Sequence, residues 1–450
     1  KFININFEKN KNDTIPNSLT AFIHSSPLKK YQITDEFGLN VSQGFIPGPF
    51  GNITFKERNT FKGFEILEVN LRYSITGQSA VSDPGHVLQT KEYGINTSLT
   101  FPQFFFPTRI RYRFYDYNPK TKIISGYTIV NRPEYTRSNL RAALNYNWNP
   151  NPKTLYTFSP IDLTIINTIR KTEAFQAYLE SLQAKGNNLI NSFRKSFVSN
   201  INLSYVFNNS EFGSNKKSRY IRLYGESGGT TLNLLDKILL NHHDSLFKLK
   251  AFRYIKLNAE FRFYFPVSKH NTFAVRFDFG YANAYSGTHT LPYEKYFFAG
   301  GANSNRAWKP RRLGPGTYAD TSETGQIIYK FEKPGDILFE NNYEFRHKII
   351  DFLNGAAFID MGNVWTLRED PARPGAQFHT RNFLSQIAVG AGYGFRLDFS
   401  FLILRFDIGV KMWDPAQEAG KKFVARNLSL RHPFGAPEQA VFNIGIGYPF

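Results

Sequence analysis

Apolar and polar residues alternate with a period of two along most of this sequence. From 273 to 281, the odd positions are Phe, Val, Phe, Phe and Tyr, and the even positions are Ala, Arg, Asp and Gly. The segments 255–265, 402–411 and 140–148 repeat this alternation. A period of two places successive side chains on opposite faces of a β-strand. The pattern therefore predicts strands with one apolar face and one polar face.

The apolar faces of these strands suit lipid better than a second layer of protein. They run for about nine to eleven residues, which is the length of a tilted membrane-spanning strand. The opposite faces carry paired opposite charges and glycine, as a crowded interior would. Backbone groups find no hydrogen-bond partners in lipid, so such strands must close into a barrel. The alternative is a water-soluble sheet that buries its apolar face against another layer.

Sixteen segments carry the pattern, and an even number suits a single-chain outer-membrane barrel. The predicted strands are 31–42, 50–58, 64–76, 93–101, 108–117, 136–148, 153–166, 196–207, 218–227, 251–265, 271–283, 337–348, 355–365, 384–397, 400–411 and 441–450. The predicted fold class is all-β, with a 16-stranded antiparallel transmembrane β-barrel that occupies residues 28–450.

Connections between the later predicted strands alternate in length. The short links are 266–270, 349–354 and 398–399, and the long links are 284–336, 366–383 and 412–440. Outer-membrane barrels have short periplasmic turns and long extracellular loops. The glycine-rich and basic segment GGANSNRAWKPRRLGPG, residues 300–316, is therefore expected in the longest extracellular loop.

Three regions do not fit barrel strands. Residues 1–27 contain two strand-like runs, FININF and LTAFIHS, and are predicted to be a hairpin that ends an upstream soluble module. The spacing of apolar residues in 173–195 and in 231–247 indicates amphipathic helices within loops. His242 and His243 are neighbours in the second helix and would point in different directions, which disfavours a metal site.

Composition narrows the classes of partner. The formal net charge of +19 is compatible with nucleic acid or with anionic lipid. The cations are spread through predicted inward strand positions such as Arg109, Arg111 and Arg113, rather than gathered on one groove-fitting helix, which disfavours nucleic acid. Cysteine is absent, which excludes disulfide bonds and thiolate metal sites.

Sequence motifs for common catalytic chemistry are missing. The chain has no GxxxxGK[ST] phosphate loop, no dinucleotide fingerprint, no HExxH and no GxSxG. Asp360 and Glu344 fall on neighbouring predicted strands and could mimic a hydrolase pair, but inward acids in a barrel are more often partners of inward arginines. We therefore expect no enzymatic activity, no cofactor and no metal ion.

The long-loop segment resembles a signature of the BamA/TamA superfamily of outer-membrane assembly proteins. That family carries R-G-F/Y at the tip of its sixth loop, and the matching residues here are Arg306, Ala307 and Trp308, preceded by Gly300 and Gly301. Alanine at position 307 departs from the family's glycine. Together with the following KPRRLGPG, this departure looks closer to TamA-type and TamL-type members than to BamA.

Two further motifs occur in the family's order. FIDMGNVW at 358–365 is similar to the aromatic, Asp and Gly pattern of the family's thirteenth strand. The chain ends in NIGIGYPF, which fits the family's C-terminal β-signal through Asn443, Gly445, Tyr448 and Phe450. The three motifs together cover the predicted barrel, and the resemblance implies that residues 1–27 end the last POTRA domain, on the periplasmic side of the outer membrane.

The resemblance also implies that the sixth loop folds back into the lumen. A buried arginine needs an acid partner, because an uncompensated buried charge is very costly. The alternation of side chains between the two faces of a strand places Asp360 and Glu344 on inward faces. We therefore expect Arg306 to make charge-assisted hydrogen bonds to Asp360 and to Glu344.

The family role implied is assembly of other barrels through a lateral gate between the first and last strands. The gate residues would be Thr34, Glu36, Gly38 and Asn40 on the first strand, and Gly445 and Gly447 on the last. The implied partners are client outer-membrane β-barrel proteins, outer-membrane lipid and lipopolysaccharide, and periplasmic or surface lipoprotein subunits, with no nucleic acid. The alternatives are a polypeptide secretion pore of the same superfamily and a plain porin.

Overall fold

Strands dominate the structure, and helices are short. The computed structural model of the protein describes residues 3–9, 19–25, 28–41, 47–79, 87–184, 189–210, 216–229, 250–285, 289–321, 327–329, 332–399, 402–429, 431–436 and 438–450. Within these ranges, no helix is long and apolar enough to cross a membrane. The second predicted loop helix, 231–247, lies outside the described residues, as do His242 and His243.

The first two strands form a sheet of their own. β1 (Ile3–Lys9) and β2 (Leu19–Ser25) pair antiparallel, with Ile3 opposite Ser25. Residues 10–18 between them lie outside the described residues. The assignment of this hairpin to the end of a POTRA domain stays a prediction.

Sixteen long strands form a closed barrel in which chain neighbours pair antiparallel, as predicted. They are β3 (Tyr31–Val41), β4 (Pro47–Arg58), β5 (Ile66–Ser79), β6 (Val87–Phe101), β7 (Lys120–Asn131), β8 (Tyr135–Asn151), β9 (Thr154–Lys171), β10 (Ser196–Asn208), β11 (Ser218–Gly228), β13 (Tyr254–Pro266), β14 (Asn271–Ala284), β17 (Ile337–Ile350), β18 (Leu353–Trp365), β19 (Ala388–Asp398), β20 (Ile403–Trp413) and β21 (Ala440–Ile446). The two-residue strand β12 (Lys250–Ala251) also joins the barrel. The short strands β15 (Asp320–Thr321) and β16 (Ile327–Ile328) pair only with each other.

The alternation of apolar and polar residues along each strand matches the outer and inner faces of the barrel wall. On β14, Phe279 and Tyr281 are exposed on the outside, whereas Arg276 and Asp278 are buried on the inside. Apolar side chains face outward because lipid accepts them without cost, and charged side chains face inward where partners are available.

One predicted strand is wrong, and one strand was missed. Residues 108–117 are not a strand, because the helix α1 (Thr108–Arg113) and the 3₁₀ turn Tyr115–Tyr117 lie there. The alternation of arginine with Ile110 and Tyr112 looks like a strand, but Pro107 and Pro119 limit the segment. The missing strand is β7, which follows directly. Arg109, Arg111 and Arg113 are therefore not inward strand residues.

Three other predicted elements are shorter than expected. The last strand was expected at 441–450, but β21 ends at Ile446 because Gly447 has a φ of +76° and turns the chain away from the ladder. Tyr448 and Phe450 thus lie beyond the strand. The loop helix predicted at 173–195 is α2 (Glu173–Ala184), followed by a 3₁₀ turn at Leu189–Phe193. The 3₁₀ turn Phe383–Gln386 replaces the start of the strand predicted at 384.

The two rims of the barrel differ in their connections. At the rim where β3 begins and β21 ends, here called the entry rim, the last connections are 267–270, 351–352 and 399–402. At the opposite rim, the loop rim, the corresponding connections are 285–336, 366–387 and 414–439, with 3₁₀ turns at Tyr293–Lys295 and Val424–Asn427. The alternation of short and long links predicted from the sequence is therefore present.

Candidate functional site

Residues 300–316, here called the loop tip, belong to the connection between β14 and β17. The tip begins with a tight turn at Gly300 and Gly301, whose φ angles of +96° and +110° favour glycine. The Gly301 N–H donates to the carbonyl of Asn305 at 3.1 Å and to that of Trp308 at 2.9 Å. A side chain at Gly300 would stand 2.6 Å from the Lys309 carbonyl oxygen. The turn thus depends on glycine at this position.

The loop tip packs against the inner wall formed by β17, β18 and β19. Ala307 and Trp308 are buried and belong to one apolar cluster with Leu338, Val364 and Ala388. The Lys411 ammonium lies 5.3 Å from the centroid of the Trp308 ring. Burial of a large aromatic side chain contributes a few kcal/mol to the stability of such a contact, of order 2–3 kcal/mol. The tip is therefore a folded part of the lumen.

Arg306 lies at the centre of the loop tip and is bound on three sides by acids. Its Nε donates to Asp360 Oδ2 at 2.8 Å, and its Nη2 donates to Asp360 Oδ1 at 2.9 Å. Its backbone N–H donates to the same carboxylate at 3.0 Å. Its Nη1 donates to Glu344 Oε2 at 2.5 Å and to Asp407 Oδ2 at 3.5 Å. The guanidinium also stacks on the Phe358 ring, 3.4 Å from its centroid.

The acids around Arg306 have other cationic partners. Glu344 accepts from Arg346 at 2.8 Å and from Arg396 at 3.1 Å, and Arg396 also pairs with Asp407. Glu344, Arg396 and Asp407 are completely buried. Breaking such a buried pair by removing one partner typically costs about 3–5 kcal/mol, because it leaves a charge without compensation. The network fixes the loop tip to β17, β18, β19 and β20.

A second cluster of charges supports the segment just before Arg306. Arg276 donates to Glu260 at 2.8 Å, to Asp278 at 2.6 Å and to Glu340 at 2.9 Å. It also donates to the Asn303 carbonyl at 3.4 Å, and Arg405 donates to the Asn303 side chain at 2.7 Å. The loop tip is therefore bound on both sides of the turn. The sequence analysis did not predict these partners. The signal that could have found them is the placement of charged residues at inward positions of β13, β14 and β17.

Two glycines of the wall make room for the loop tip, and the sequence reading missed both. A Cβ at Gly409 would stand 2.5 Å from the Arg306 carbonyl, and a Cβ at Gly390 would stand 2.5 Å from the Ala307 Cβ. Both glycines lie on inward strand positions of β20 and β19. Glycine at an inward strand position is the sequence signal for a close approach by another part of the chain, here the loop tip.

The other cations of the loop tip have separate roles. Lys309 pairs with Glu438 at 3.2 Å on the exposed side, and Arg311 pairs with Glu332 at 3.4 Å. Burial, followed by repulsion from Arg132, lowers the pKa of Arg312 to about 10. Arg312 is therefore charged at neutral pH. Arg306 is the cation of this segment that binds Glu344 and Asp360 on the inner wall.

The residues of the C-terminal motif lie beside the same network. Asn443 Nδ2 on β21 donates to the Arg306 carbonyl at 2.9 Å, and Gly445 faces the Arg405 guanidinium. After the turn at Gly447, Arg346 donates to the Phe450 carbonyl at 3.0 Å. The Arg346 guanidinium lies 4.1 Å from the centroid of the Tyr448 ring. The last strand and the segment beyond it are thus connected to the loop tip.

Replacing Asn443 with alanine is expected to loosen the last strand from the loop tip modestly. One neutral hydrogen bond contributes about 0.5–1.5 kcal/mol, so the free energy of unfolding should fall by about 1 kcal/mol. Denaturant unfolding followed by Trp fluorescence measures the change. Asn382→Ala, at an exposed position of the loop rim, is the matched control and should not alter stability. Equal stability of the two variants would contradict a role for the Asn443 bond.

The residues predicted for a gate lie on the wall where β3 meets β21. Thr34 accepts from Gln32 at 3.1 Å, and Glu36 accepts from Asn52 at 3.1 Å. Gly38 faces the Phe50 ring, and a side chain there would stand 2.7 Å from it. The side chain of Asn40 lies outside the described residues. Thr34 and Glu36 therefore bond within β3 and β4 rather than to the loop tip.

These features define a membrane β-barrel whose own loop fills part of the lumen and is fixed there by buried arginine–acid pairs. The chain belongs to the Omp85 superfamily, whose domain model matches residues 37–450. Membership in this superfamily places the barrel in the outer membrane of a Gram-negative cell. No curated protein is significantly similar in sequence.

Solved structures of other proteins share this fold, and two of them have TM-scores above 0.5. BamA from Haemophilus ducreyi, lacking POTRA domains 1–3, superposes with a TM-score of 0.58 at 16% identity, over 93% of this chain and 73% of that one. CdiB from Escherichia coli superposes with a TM-score of 0.51 at 12% identity, over 99% of this chain and 67% of that one. At these identities, the similarity concerns the fold alone.

Proposed function

We propose that this barrel inserts client β-barrel proteins into the outer membrane through a lateral opening between β3 and β21. In the proposed orientation, the loop rim faces the cell surface and the entry rim faces the periplasm, where the β1–β2 hairpin belongs to a POTRA domain. The observation that carries the proposal is the short last strand, β21, beside a first barrel strand, β3, that is exposed on both faces. The function rests on strand pairing and not on enzymatic chemistry.

The seam between β3 and β21 includes the shortest of the sixteen long strands. The ladders between the other neighbouring long strands have seven residue pairs or more. The shortest of them, between β20 and β21, has seven. β21 is the neighbour of β3 in the closed barrel, so this seven-residue strand limits the pairing at the seam. Residues 31–37 of β3 are exposed on both faces, with Ile33 at 71% and Phe37 at 74%. Opening of this short seam would free the backbone groups of the β3 edge to pair with another chain.

Strand addition at this edge gives a route into the membrane without a chemical energy source. A client strand that pairs with β3 satisfies its backbone hydrogen bonds while its apolar face enters lipid. Both steps lower the free energy of the client relative to an unpaired strand in water. Successive hairpins would then follow the same edge until the client barrel closes.

The filled lumen argues against a plain porin. A porin needs a water-filled channel along its axis, whereas here the loop tip occupies the lumen and is bound by Asp360, Glu344 and Asp407. An ion pair of this kind, buried and with several partners, is not suited to frequent opening. The porin alternative therefore has less support than an insertion or secretion role.

Cysteine pairs across the seam test the proposal. The natural chain has no cysteine, so an engineered pair has no competing thiol. To cover more than one register across the seam, we would combine cysteines at Ile33 or Asp35 on β3 with cysteines at Phe442 or Ile444 on β21. A disulfide across the seam is expected to reduce client insertion into liposomes to near background, and reduction should restore it.

The matched control locks β3 to its other neighbour. Asp35 lies directly opposite Ile53 on β4, so cysteines at these two positions form a bond of similar chemistry away from the seam. This variant should insert clients at the normal rate. Full insertion by the seam-locked barrel would overturn the proposal. If depletion in cells removed one exported polypeptide while outer-membrane barrels stayed at normal levels, a secretion pore would be favoured instead.

A further inference from the structure

The connection between β6 and β7, residues 102–119, is unusual for the entry rim. It has eighteen residues, PQFFFPTRIRYRFYDYNP, and contains the helix α1. The later turns at the same rim, such as 351–352, have only a few residues. Seven of its residues are aromatic and three are arginine, while Asp116 is its one acid. We call this segment the basic aromatic turn.

The basic aromatic turn packs on the outside of the barrel wall. Phe104 is only 2% exposed, and its ring lies 5.3 Å from that of Tyr146 and 6.1 Å from that of Trp148. Phe106 stacks on Tyr146 at 4.5 Å. Tyr146 and Trp148 share the outward face of β8 with the exposed Leu140. The turn therefore lies against the lipid-facing surface, and not beneath the lumen.

The wall beside this turn carries a row of outward aromatic rings near the entry rim. Trp148 stacks on Tyr156 at 5.0 Å, and Tyr156 contacts Tyr205 at 5.1 Å. Aromatic girdles of this kind lie at the level of lipid headgroups in outer-membrane barrels. The position of the row therefore places the basic aromatic turn at the boundary between membrane and water.

The free surface of the turn combines apolar rings with cations. Tyr112 and Tyr115 are 70% and 75% exposed, and Ile110 is also exposed. Arg109 and Arg113 are exposed and lie one helical turn apart, on the same face of α1. Arg111 is half-buried and donates to Gln103 at 3.2 Å. A surface of this composition is costly to leave in water and is complementary to an anionic, partly apolar one.

We propose that the basic aromatic turn binds anionic phospholipids of the leaflet at the entry rim. The exposed rings enter the region between headgroups and acyl chains, while the three arginines bind phosphate groups. Arginine suits this role because its planar guanidinium matches phosphate geometry with two parallel hydrogen bonds. In the orientation proposed above, this is the periplasmic leaflet. The site lies on β6–β8, away from the seam between β3 and β21.

Lipid is the occupant that the position of the turn favours. A protein partner in the periplasm would meet the turn from below the rim, whereas the exposed rings continue the lipid-facing aromatic row. The net charge of the segment, +2 from three arginines and one aspartate, is opposite to that of an anionic headgroup. Capture of a protein by this surface is the competing outcome of the test.

Native mass spectrometry of the full chain in detergent, with added phosphatidylglycerol or phosphatidylcholine, measures the lipid preference directly. The variant R109Q/R111Q/R113Q removes the three cations. The control R381Q/R426Q/R431Q removes the same charge from exposed arginines of the loop rim. Wild type and control should retain phosphatidylglycerol in preference to phosphatidylcholine, and the triple variant should lose roughly tenfold or more of this preference.

Two further arms keep the result interpretable if the triple variant is poorly folded. R109K/R111K/R113K keeps the charge but not the paired hydrogen bonds, and it should retain part of the preference. A single cysteine at Tyr115, labelled with an environment-sensitive dye, should report an apolar setting in vesicles that contain phosphatidylglycerol. The proposal is overturned if the triple variant keeps the wild-type preference, if the dye stays in water, or if the arginines prove to bind a periplasmic protein and not lipid.

Discussion

Replacing Asp360 with asparagine is expected to release the loop tip from the barrel wall. The amide group would direct a donor toward Arg306, where the carboxylate accepts from Nε, Nη2 and the backbone N–H. Removing one partner from a buried pair costs about 3–5 kcal/mol, so the free energy of unfolding should fall by that amount. Denaturant unfolding in detergent measures the loss, and trypsin should newly cleave after Arg306, which is completely buried in the native protein.

Two further variants separate loss of the pair from loss of the fold. Glu438→Gln removes the exposed partner of Lys309 and should cost about 0–1 kcal/mol, as surface pairs do. The double variant R306Q/D360N removes both charges together and should be more stable than Asp360→Asn alone, because no unpaired charge stays buried. If Asp360→Asn left both stability and the tryptic pattern unchanged, the pair would have no structural role.

The second large effect is expected from filling the space that Gly390 and Gly409 leave for the loop tip. Gly409→Ala would place a methyl group 2.5 Å from the backbone carbonyl of Arg306, which cannot rotate away. Gly390→Ala would place one 2.5 Å from the Ala307 Cβ. Overpacking of this kind costs about 1–3 kcal/mol. Both variants should lower the unfolding midpoint and expose the tip to protease.

The two glycine variants differ in how they can be rescued. Ala307→Gly removes the methyl group that the new side chain of Gly390→Ala would contact. The double variant G390A/A307G should therefore recover much of the lost stability, whereas Ala307→Gly should not restore the stability of Gly409→Ala. Gly94→Ala on β6 is the control, since its nearest neighbour would be 3.7 Å away, at ordinary contact distance. Recovery of Gly409→Ala by Ala307→Gly would contradict the assigned contacts.

Strand parity predicts most of this barrel because each residue on a two-sided wall faces either lipid or lumen. The same parity places Asp360 and Glu344 inward, and the structure brings both to Arg306. It fails at 108–117, where arginine alternates with Ile110 and Tyr112 although the segment is a turn and a helix. The reason is tertiary, since Phe104, Phe106 and Phe114 pack on rings of β8 that lie far along the sequence.

The partners of the loop tip show a second limit of sequence reading. Arg396, Arg405 and Asp407 join the network because four strands, β17 to β20, contribute charges to one point of the lumen. The alternation of faces along a single strand does not reveal which of several inward charges meet there. Gly390 and Gly409 were open to prediction only once the path of the loop was known. The end of β21 at Ile446 depends on the positive φ of Gly447, which the β-signal pattern does not specify.

The bond from Asn443 to the Arg306 carbonyl makes the two edges of the seam unequal in stiffness. β21 is braced from inside by the loop tip, and the chain beyond it is held by Arg346, while β3 is exposed on both faces. In the opening proposed above, β3 would therefore move outward while β21 stays in place. The strands nearest β3 would then carry the bending, and the wall from β17 to β21 would serve as the fixed frame.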